Sequence, residues 1–392
     1  MKKHVLERLA DTHPEAEVWW DSSPLVYAKW ANETADSFGD QKNEVKDMLA
    51  RMYDPEKGGE RFYRGVTTNP PLSLQAIEAH PERWNTIVDG IIKENPGIDA
   101  EALFWKTYLT IVRDGAAMFR EVWEASGGKQ GYLSGQVDPR SAFDYSAMFE
   151  QAMEIREQGP NVMVKVPGTK EGYQLLRELT ARGIPTNNTL SFTLPQLVCA
   201  AKMAMEGLEI AKKNNVDTSK WRAVITHMTA RYGQLGDFEK EAAERGITLT
   251  EEDIRWAEIA IYKKAYKIIE ERGYKSEMLM CSMRVSPEID GKKRCWHLEK
   301  VAGSNSVYTC PPTFIAGVMK DCDHLEFDAD EIHREIPQDT MDKLMELPYF
   351  AKAYDENGQA PEEFNDHTAL RTTHEQFSKA TQKMVDFCKA RM

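Results

Sequence analysis

The sequence predicts an α/β fold, a (β/α)8 barrel of the TIM type, with extra helices in the crossover after the second strand and a helical extension at the C-terminus. Eight short strand-like stretches alternate with helical patterns, which favours a parallel sheet with helical crossovers. Eight such units are the number that closes this kind of barrel. An open doubly wound sheet is the alternative, but no G-x-G-x-x-G follows the first strand.

The domain organisation follows from the lengths of the helical stretches. We expect one barrel domain over residues 1–392. The helical pattern after the second strand is long for one crossover, so we expect a helical insertion at 84–130. The charged helical pattern at 320–392 predicts a C-terminal segment that packs on the barrel, and a tail folded over the barrel mouth would form a lid.

The strands are predicted from short runs rich in β-branched and aromatic residues that end at glycine, proline or asparagine. In chain order they are 18–23, 62–68, 131–138, 161–169, 184–191, 221–229, 277–283 and 304–310.

The helices are predicted from apolar spacing and from breaks at proline and glycine. A leading helix lies within 1–17, another follows Ser22-Ser23-Pro24, and 72–126 is helical with breaks at His80-Pro81 and Asn95-Pro96-Gly97. Further helices are expected at 142–158, 170–183, 194–213 and 251–272, with a short loop and helix before the eighth strand and loops at 54–60, 127–131 and 355–363.

The fourth strand carries a lysine that its neighbours would bury. Three valines, at 162, 164 and 166, share one face, while Met163 and Lys165 share the other. A buried ammonium is costly unless it is paired or loses its proton. Desolvation lowers a lysine pKa, and the neutral amine can form a Schiff base with a carbonyl. The alternative is a lysine at the strand end whose amine reaches solvent.

Other strands also end in polar residues at the alternation expected for the lumen. In a barrel, the carboxyl ends of the strands form the usual reaction site. We therefore expect several side chains to face the lumen there: Asp21, Ser134, Gln136, Lys165, Asn187, Thr189, Ser191, Thr226, Met228, Met280 and Ser282, with Arg284 just beyond.

Charge and cysteine usage exclude several classes of protein. The net charge is −13, whereas nucleic-acid and anionic-membrane surfaces need clustered positive charge. The six cysteines form no CxxC pair, and their scatter indicates free thiols in a reducing compartment. With no signal peptide and no apolar run of about 18 residues, we expect a cytoplasmic protein. No HExxH or phosphate-loop motif predicts a metal or a cofactor, and whether the chain forms a homo-oligomer stays open.

Four motifs carry a family resemblance. RGVTTNPPL at 64–72, SGQVDPR at 134–140, VKVPGTKEG at 164–172 and NNTLSFTLPQ at 187–196 resemble the successive signatures of the transaldolase family, which includes fructose 6-phosphate aldolases. The resemblance covers most of the chain. It implies a Schiff-base barrel enzyme of the pentose phosphate pathway, with sugar phosphates as substrates and neither metal nor cofactor.

The same resemblance implies roles for individual residues. Lys165 corresponds to the Schiff-base lysine and Asp21 to the aspartate that moves protons during C–C cleavage. Asn69 and Asn187 correspond to asparagines that hold ketose hydroxyls, and Thr189 to the threonine that positions a water. The remaining positions are Thr226, which stands where the family usually has serine, and Arg231, Ser282 and Arg284, which correspond to the phosphate-binding group.

Two positions depart from the family pattern and keep alternatives open. Gln136 stands where transaldolases have glutamate and fructose 6-phosphate aldolases have glutamine. Met228 stands where transaldolases have phenylalanine and those aldolases have tyrosine. The expected activity is transfer of a dihydroxyacetone unit from a ketose phosphate to an aldose. A lyase that releases dihydroxyacetone and a non-catalytic sugar-phosphate binding protein are the alternatives.

Overall fold

The computed structural model describes residues 3–54 and 61–392. Within them, eight parallel strands close into a barrel surrounded by helices, and around the barrel they follow the order first, eighth, seventh, sixth, fifth, fourth, third and second along the chain. The predicted (β/α)8 barrel is therefore confirmed. The loop predicted at 54–60 lies, apart from its first residue, outside the described residues.

The barrel strands fall where the sequence pattern places them. They are β1 (Glu17–Asp21), β2 (Gly65–Thr67), β3 (Tyr132–Gln136), β4 (Val162–Pro167), β5 (Thr186–Ser191), β6 (Ala223–Met228), β7 (Glu277–Cys281) and β10 (Val307–Cys310). Each overlaps one predicted stretch, and most are shorter because the flanking glycine, proline and polar residues leave the ladder.

A small hairpin before the last barrel strand was missed by the pattern analysis. It pairs β8 (Glu288–Ile289) with β9 (Lys292–Lys293). Asp290 and Gly291 form its turn with φ of +51° and +71°. Asp-Gly is a strong hairpin signal because this turn requires positive φ at both central residues, so the dipeptide itself could have revealed the hairpin.

The helices fill the crossovers and the C-terminal extension. They are α1 (Val5–Ala10), α2 (Tyr27–Asp36), α3 (Lys42–Met52), α4 (Pro70–Ala79), α5 (Pro81–Glu94), α6 (Ala100–Met118), α7 (Arg120–Ala125), α8 (Tyr145–Arg156), α9 (Lys170–Ala181), α10 (Leu194–Lys213), α11 (Thr229–Leu235), α12 (Phe238–Arg245), α13 (Glu251–Glu271), α14 (Trp296–Glu299), α15 (Pro312–Asp321), α16 (Gln338–Met345), α17 (Pro348–Tyr354) and α18 (Thr368–Lys389). The leading helix is shorter than the predicted 1–17, and a 3-10 helix at Pro361–Asp366 enters the predicted loop at 355–363.

The crossover after β2 begins sharply because of its sequence. The Asn69 Oδ1 accepts a hydrogen bond from the backbone N–H of Leu72 at 3.0 Å, which caps α4. Pro70 and Pro71 occupy the first helical positions, where a missing N–H costs nothing. The same asparagine therefore ends the strand and starts the helix, and its Nδ2 donor is left for other partners.

The amino end of the lumen is closed by packing. The Trp19 ring lies over Gly65, where a Cβ would come within 2.5 Å of it. The Arg222 guanidinium lies 5.4 Å from the Trp19 ring centroid and 3.1 Å from Glu17 Oε2. These buried side chains pack together at the amino end, so we expect the site at the carboxyl end, where barrels of this kind carry their reaction sites.

The last long helix crosses that carboxyl end. α18 packs against α4, which follows β2, and against α11, which follows β6 on the opposite side of the barrel. It also packs on α6, where Cys388 Sγ lies 3.7 Å from Thr107 Oγ1. A salt bridge of 2.5 Å between Arg391 and Asp89 follows the helix end. The barrel mouth is thus roofed by the C-terminal helix.

Candidate active site

A cavity of about 240 Å³ lies at the carboxyl end of the strands, under α18, which we call the roof helix. Because Lys165 lines it, we call it the lysine cavity. It gathers side chains that are far apart in the chain, as the sequence predicted. Its lining includes eight of the candidate residues: Asp21, Asn69, Lys165, Thr189, Thr226, Met228, Arg231 and Ser282.

Lys165 is buried in this cavity, with 5% of its surface exposed. Its Nζ donates to the carbonyl of Thr68 at 3.1 Å, and among the described residues no carboxylate lies within 4.0 Å of it. Burial lowers the pKa of Lys165, while the charge of Asp21 opposes that shift. The alternative of a strand-end lysine that reaches solvent is wrong. A larger share of the amine is neutral than for an exposed lysine, which suits a nucleophile.

Asp21 lies at the end of β1 and also lines the cavity. Its Oδ1 accepts a hydrogen bond of 2.6 Å from the Thr67 hydroxyl, which in turn contacts the hydroxyl of Thr309. Burial raises the pKa of Asp21, and Lys165 and the Thr67 bond act against that rise. A raised pKa makes the carboxylate a stronger base than a free aspartate, which suits a group that takes and returns a proton.

A hydrogen-bonded polar layer lies beside the lysine. Lys165 is paired in register with Gln136 on one side and with Asn187 on the other. The Asn187 amide donates to Ser134 Oγ at 3.0 Å, and its Oδ1 accepts from Thr226 Oγ1 at 2.8 Å. Asn187 does not line the cavity, whereas Thr226 does, so the bond between them fixes the orientation of the Thr226 hydroxyl at the cavity wall.

Two polar atoms on the strands around Lys165 have no hydrogen-bond partner among the described residues. They are Gln136 Oε1 and Thr189 Oγ1, both buried. Buried polar atoms are nearly always satisfied, so such a pair suits a water molecule or a substrate group. The Gln136 backbone is fixed by Tyr108, whose hydroxyl accepts from its N–H at 2.7 Å and donates to its C=O at 2.8 Å. Sequence reasoning missed Tyr108, which lies on a remote helix.

Two predicted lumen residues face elsewhere. On β7, Leu279 and Cys281 line the cavity instead of Met280, which is fully buried outside it. On β5, the register shifts between Asn188 and Ser191, and Leu190 has φ of +53°. The Ser191 hydroxyl accordingly donates to Asn188 Oδ1 at 2.6 Å and does not line the cavity. Predictions of both Met280 and Ser191 as lumen residues were therefore wrong, because a shift of one residue reverses the face.

Ser282 reaches the cavity although the alternation of β7, with Leu279 and Cys281 facing the lumen, would turn residue 282 away from it. It comes directly after the end of β7, and its φ of +59° turns the chain out of the strand. Its neighbour Cys281 is a thiol that sequence reasoning did not select. Burial raises the pKa of Cys281 to about 11, so this sulfur stays protonated at neutral pH.

A second cavity of about 710 Å³ adjoins the first and shares Arg231 and Ser282 with it. Arg284 also lines it. Arg231 donates to Gln376 Oε1 at 2.6 Å, and Arg284 donates to the side-chain oxygen of Gln234. Within the described residues neither guanidinium forms a salt bridge with a carboxylate, so both remain available to an anion.

The roof helix supplies side chains that no motif predicted. Phe377 lines the lysine cavity with 3% of its surface exposed, and the Arg231 guanidinium lies 5.5 Å from its ring centroid. Thr373 and Gln376 both contact Arg231. The apolar spacing of α18 was the signal that one face of this helix is buried, but that spacing does not say against what.

The described ranges hold no group of three or more His, Cys, Asp or Glu side chains placed to bind a metal ion. They also hold no helix that combines the length and the apolar character needed to cross a bilayer.

Comparisons with known proteins agree with this geometry. The family described as Transaldolase/Fructose-6-phosphate aldolase matches residues 50–385. A transaldolase of Trichodesmium erythraeum is 26% identical over 310 residues, 72% of this chain and 76% of that protein. Transaldolase 1 of Streptomyces avermitilis is 29% identical over 209 residues, 53% of this chain and 54% of its own. A Kocuria rhizophila transaldolase is 33% identical over 169 residues, 43% and 45%. The chain thus spans about half the length of the last two relatives.

Proposed function

This chain belongs to the transaldolase/fructose-6-phosphate aldolase family, and on that premise we propose that it transfers a dihydroxyacetone unit from a ketose phosphate to an aldose through a Schiff base on Lys165. It is an enzyme of the transaldolase type. The observation that carries the proposal is one placement: a buried lysine and a half-buried carboxyl line one cavity, and arginines without carboxylate partners among the described residues line its mouth.

The first half of the reaction uses Lys165 and Asp21. The neutral amine of Lys165 adds to the ketose carbonyl, and loss of water gives an imine that draws electrons from the neighbouring C–C bond. Asp21 removes the proton from the hydroxyl whose carbon is to leave. The C–C bond breaks, an aldose departs, and the three-carbon unit stays on Lys165 as an enamine.

The second half runs in the opposite sense with a different aldehyde. The enamine carbon adds to the acceptor carbonyl, Asp21 returns its proton to the new hydroxyl, and water releases the longer ketose from Lys165. Thr226 and Asn69 at the cavity wall supply hydrogen-bond partners for the sugar hydroxyls, and Asn187 orients Thr226 through their bond of 2.8 Å.

The phosphate of the substrate is assigned to the second cavity, of about 710 Å³, which we call the outer cavity. Arg231, Ser282 and Arg284 line it, and planar guanidinium groups suit phosphate oxygens. The outer cavity adjoins the lysine cavity, so one sugar phosphate can place its carbonyl near Lys165 and its phosphate near the arginines. The roof helix limits the access of water to the imine.

A lyase is the second candidate, and Gln136 favours it. By the resemblance, glutamine at this position is typical of fructose 6-phosphate aldolases and glutamate of transaldolases, and the Gln136 Oε1 has no hydrogen-bond partner among the described residues. If the enamine is protonated before an acceptor adds, dihydroxyacetone is released instead of transferred. We propose that the residue at 136 sets this partition.

One assay distinguishes these functions. Fructose 6-phosphate is supplied with and without erythrose 4-phosphate, and glyceraldehyde 3-phosphate is followed. Release that requires the acceptor supports transfer, whereas release without it supports the lyase. With no release in either case, borohydride reduction with other ketoses tests for an adduct at Lys165. Phosphosugar binding without any adduct would contradict both catalytic proposals.

A further inference from the structure

We infer that Glu258 and His297 form a buried unit that fixes the two phosphate-site arginines relative to each other and so sets the affinity for the phosphate group. The inference rests on the proposed function, since it takes Arg231 and Arg284 as the phosphate ligands. Both members of this unit are fully buried, and neither lines the cavities that hold the arginines. They are therefore positioning residues.

The first contact holds the loop that carries Arg284. Its backbone N–H donates to His297 Nδ1 at 3.0 Å. A backbone nitrogen can only donate, so Nδ1 is the acceptor and the ring hydrogen sits on Nε2. Arg284 lies three residues beyond the end of β7, and the histidine takes the place of a strand partner for its N–H. Burial also lowers the pKa of His297 well below its usual range, which keeps the ring neutral.

The second contact links the histidine to a carboxyl on α13. His297 Nε2 lies 2.8 Å from Glu258 Oε2, which is also 2.8 Å from Nη1 of Arg255. Arg255 is itself buried, with 4% of its surface exposed. An ion pair buried this deeply is costly and is often replaceable by apolar side chains without loss of stability. Its presence behind the arginines favours a role in fixing geometry.

The third contact reaches the helix that carries Arg231. A Cβ at Gly233 would lie 2.0 Å from Glu258 Oε1, so the carboxyl presses directly on the backbone of α11. Gly233 lies two residues after Arg231 and one before Gln234, whose side chain holds Arg284. Glu258 therefore touches the helix of one arginine directly and the loop of the other through His297.

Substitutions that remove the contacts of His297 are expected to weaken phosphate binding more than they slow the chemical step. His297→Gln places an amide near the Nε2 position and removes the acceptor of the Arg284 N–H, whereas His297→Asn keeps an acceptor near Nδ1 and loses the contact with Glu258. We expect His297→Gln to raise the KM for fructose 6-phosphate about tenfold, as for a lost buried hydrogen bond, with kcat changed less than about twofold. His297→Asn is expected to have the smaller effect.

Two further measurements separate positioning from general damage. Inorganic phosphate is titrated against turnover, and we expect about tenfold more to be needed for half-inhibition of His297→Gln. Reductive trapping of dihydroxyacetone at Lys165, which involves no phosphate, should keep its rate. The matched control is His4→Gln, since His4 is also buried and its Nδ1 also accepts a backbone N–H, from Leu6 at 2.9 Å.

A second variant keeps the test informative if the histidine variants do not fold. Gly233→Ala favours the helix by propensity but forces Glu258 away, so it should weaken phosphate inhibition while dihydroxyacetone trapping continues. Equal phosphate inhibition in the unaltered enzyme, His297→Gln and Gly233→Ala would overturn this inference and leave the proposed function standing. A parallel loss of trapping and kcat with an unchanged KM would also overturn it. If phosphate does not inhibit the unaltered enzyme, Arg231 and Arg284 are not the phosphate ligands, and the inference that depends on them fails as well.

Discussion

Gln376 Oε1 lies 2.6 Å from Nη1 of Arg231, so the last helix of the chain is tied directly to an arginine of the candidate phosphate site. The next residue, Phe377, completes the wall of the lysine cavity. A segment without any recognisable motif thus closes the site. It also orients one of the charged groups that would bind substrate.

The first prediction concerns this tie. Gln376→Ala removes the acceptor that orients Arg231, so we expect the KM for fructose 6-phosphate to rise about threefold to tenfold with little change in kcat. Steady-state kinetics measure both constants. Gln382→Ala on the same helix is the control, because among the described residues the Gln382 side chain bonds only to Asp386, along the surface. Equal KM values for the two variants would contradict an orienting role for Gln376.

The second prediction tests the nucleophile. Lys165→Met removes the amine at similar volume, so turnover should fall about a thousandfold or more and reductive trapping should disappear. Lys263→Met is the matched control. Lys263 is also buried, and burial lowers its pKa to about 8, but it donates to the carbonyls of Glu331 and Arg334 away from the cavity. Trapping that persisted in Lys165→Met would contradict a Schiff base on Lys165.

The third prediction uses the sign of the Lys165 pKa shift. Burial lowers this pKa in the folded state, so at pH values below the ordinary lysine pKa of 10.5 the unfolded chain binds the proton more readily than the folded chain. Folding is therefore penalised as pH falls from 10.5 toward the folded pKa, and the penalty vanishes above 10.5. We expect Lys165→Met to unfold at a higher temperature than the unaltered protein at pH 7 and the difference to shrink as pH approaches 10.5. A difference independent of pH would contradict the assigned shift.

The fourth prediction separates Asp21 from Lys165. The carboxylate charge of Asp21 favours the protonated lysine, so Asp21→Asn should lower the Lys165 pKa further. Turnover should fall about a hundredfold or more because the proton carrier is gone. The rate of dihydroxyacetone trapping, measured with cyanoborohydride across pH, should reach half of its maximum at a lower pH than in the unaltered enzyme. A shift to higher pH would show that the two side chains are not coupled as the structure indicates.

The barrel and most of its inner wall were predictable from the sequence, for reasons visible in single strands. β4 alternates valines with Met163 and Lys165, which fixes the face of the lysine without any tertiary information. β7 reads EMLMC and is apolar on both faces, so nothing in it sets the parity, and Met280 was chosen over Leu279 and Cys281.

The remaining parts of the site depend on contacts between distant segments. The bulge that turns Ser191 away is a local backbone event with no residue-type signature. His297 and Glu258 are 39 residues apart, and Gln376 and Arg231 are 145 apart. Only the closed barrel brings these pairs together, which is why no pattern in one segment could reveal them.

The last prediction addresses transfer against release. Gln136→Glu places a carboxyl where Oε1 now has no partner among the described residues, next in register to Lys165. Glutamate at this position is typical of the family's transaldolases and glutamine of its fructose 6-phosphate aldolases, so we expect the ratio of transfer to release to increase. The measurement is the yield of glyceraldehyde 3-phosphate from fructose 6-phosphate with erythrose 4-phosphate divided by the yield without it. The charge also raises the Lys165 pKa, so trapping should weaken at acidic pH in this variant. An unchanged ratio alongside that pH shift would mean that residue 136 acts on the lysine but does not decide between transferase and lyase.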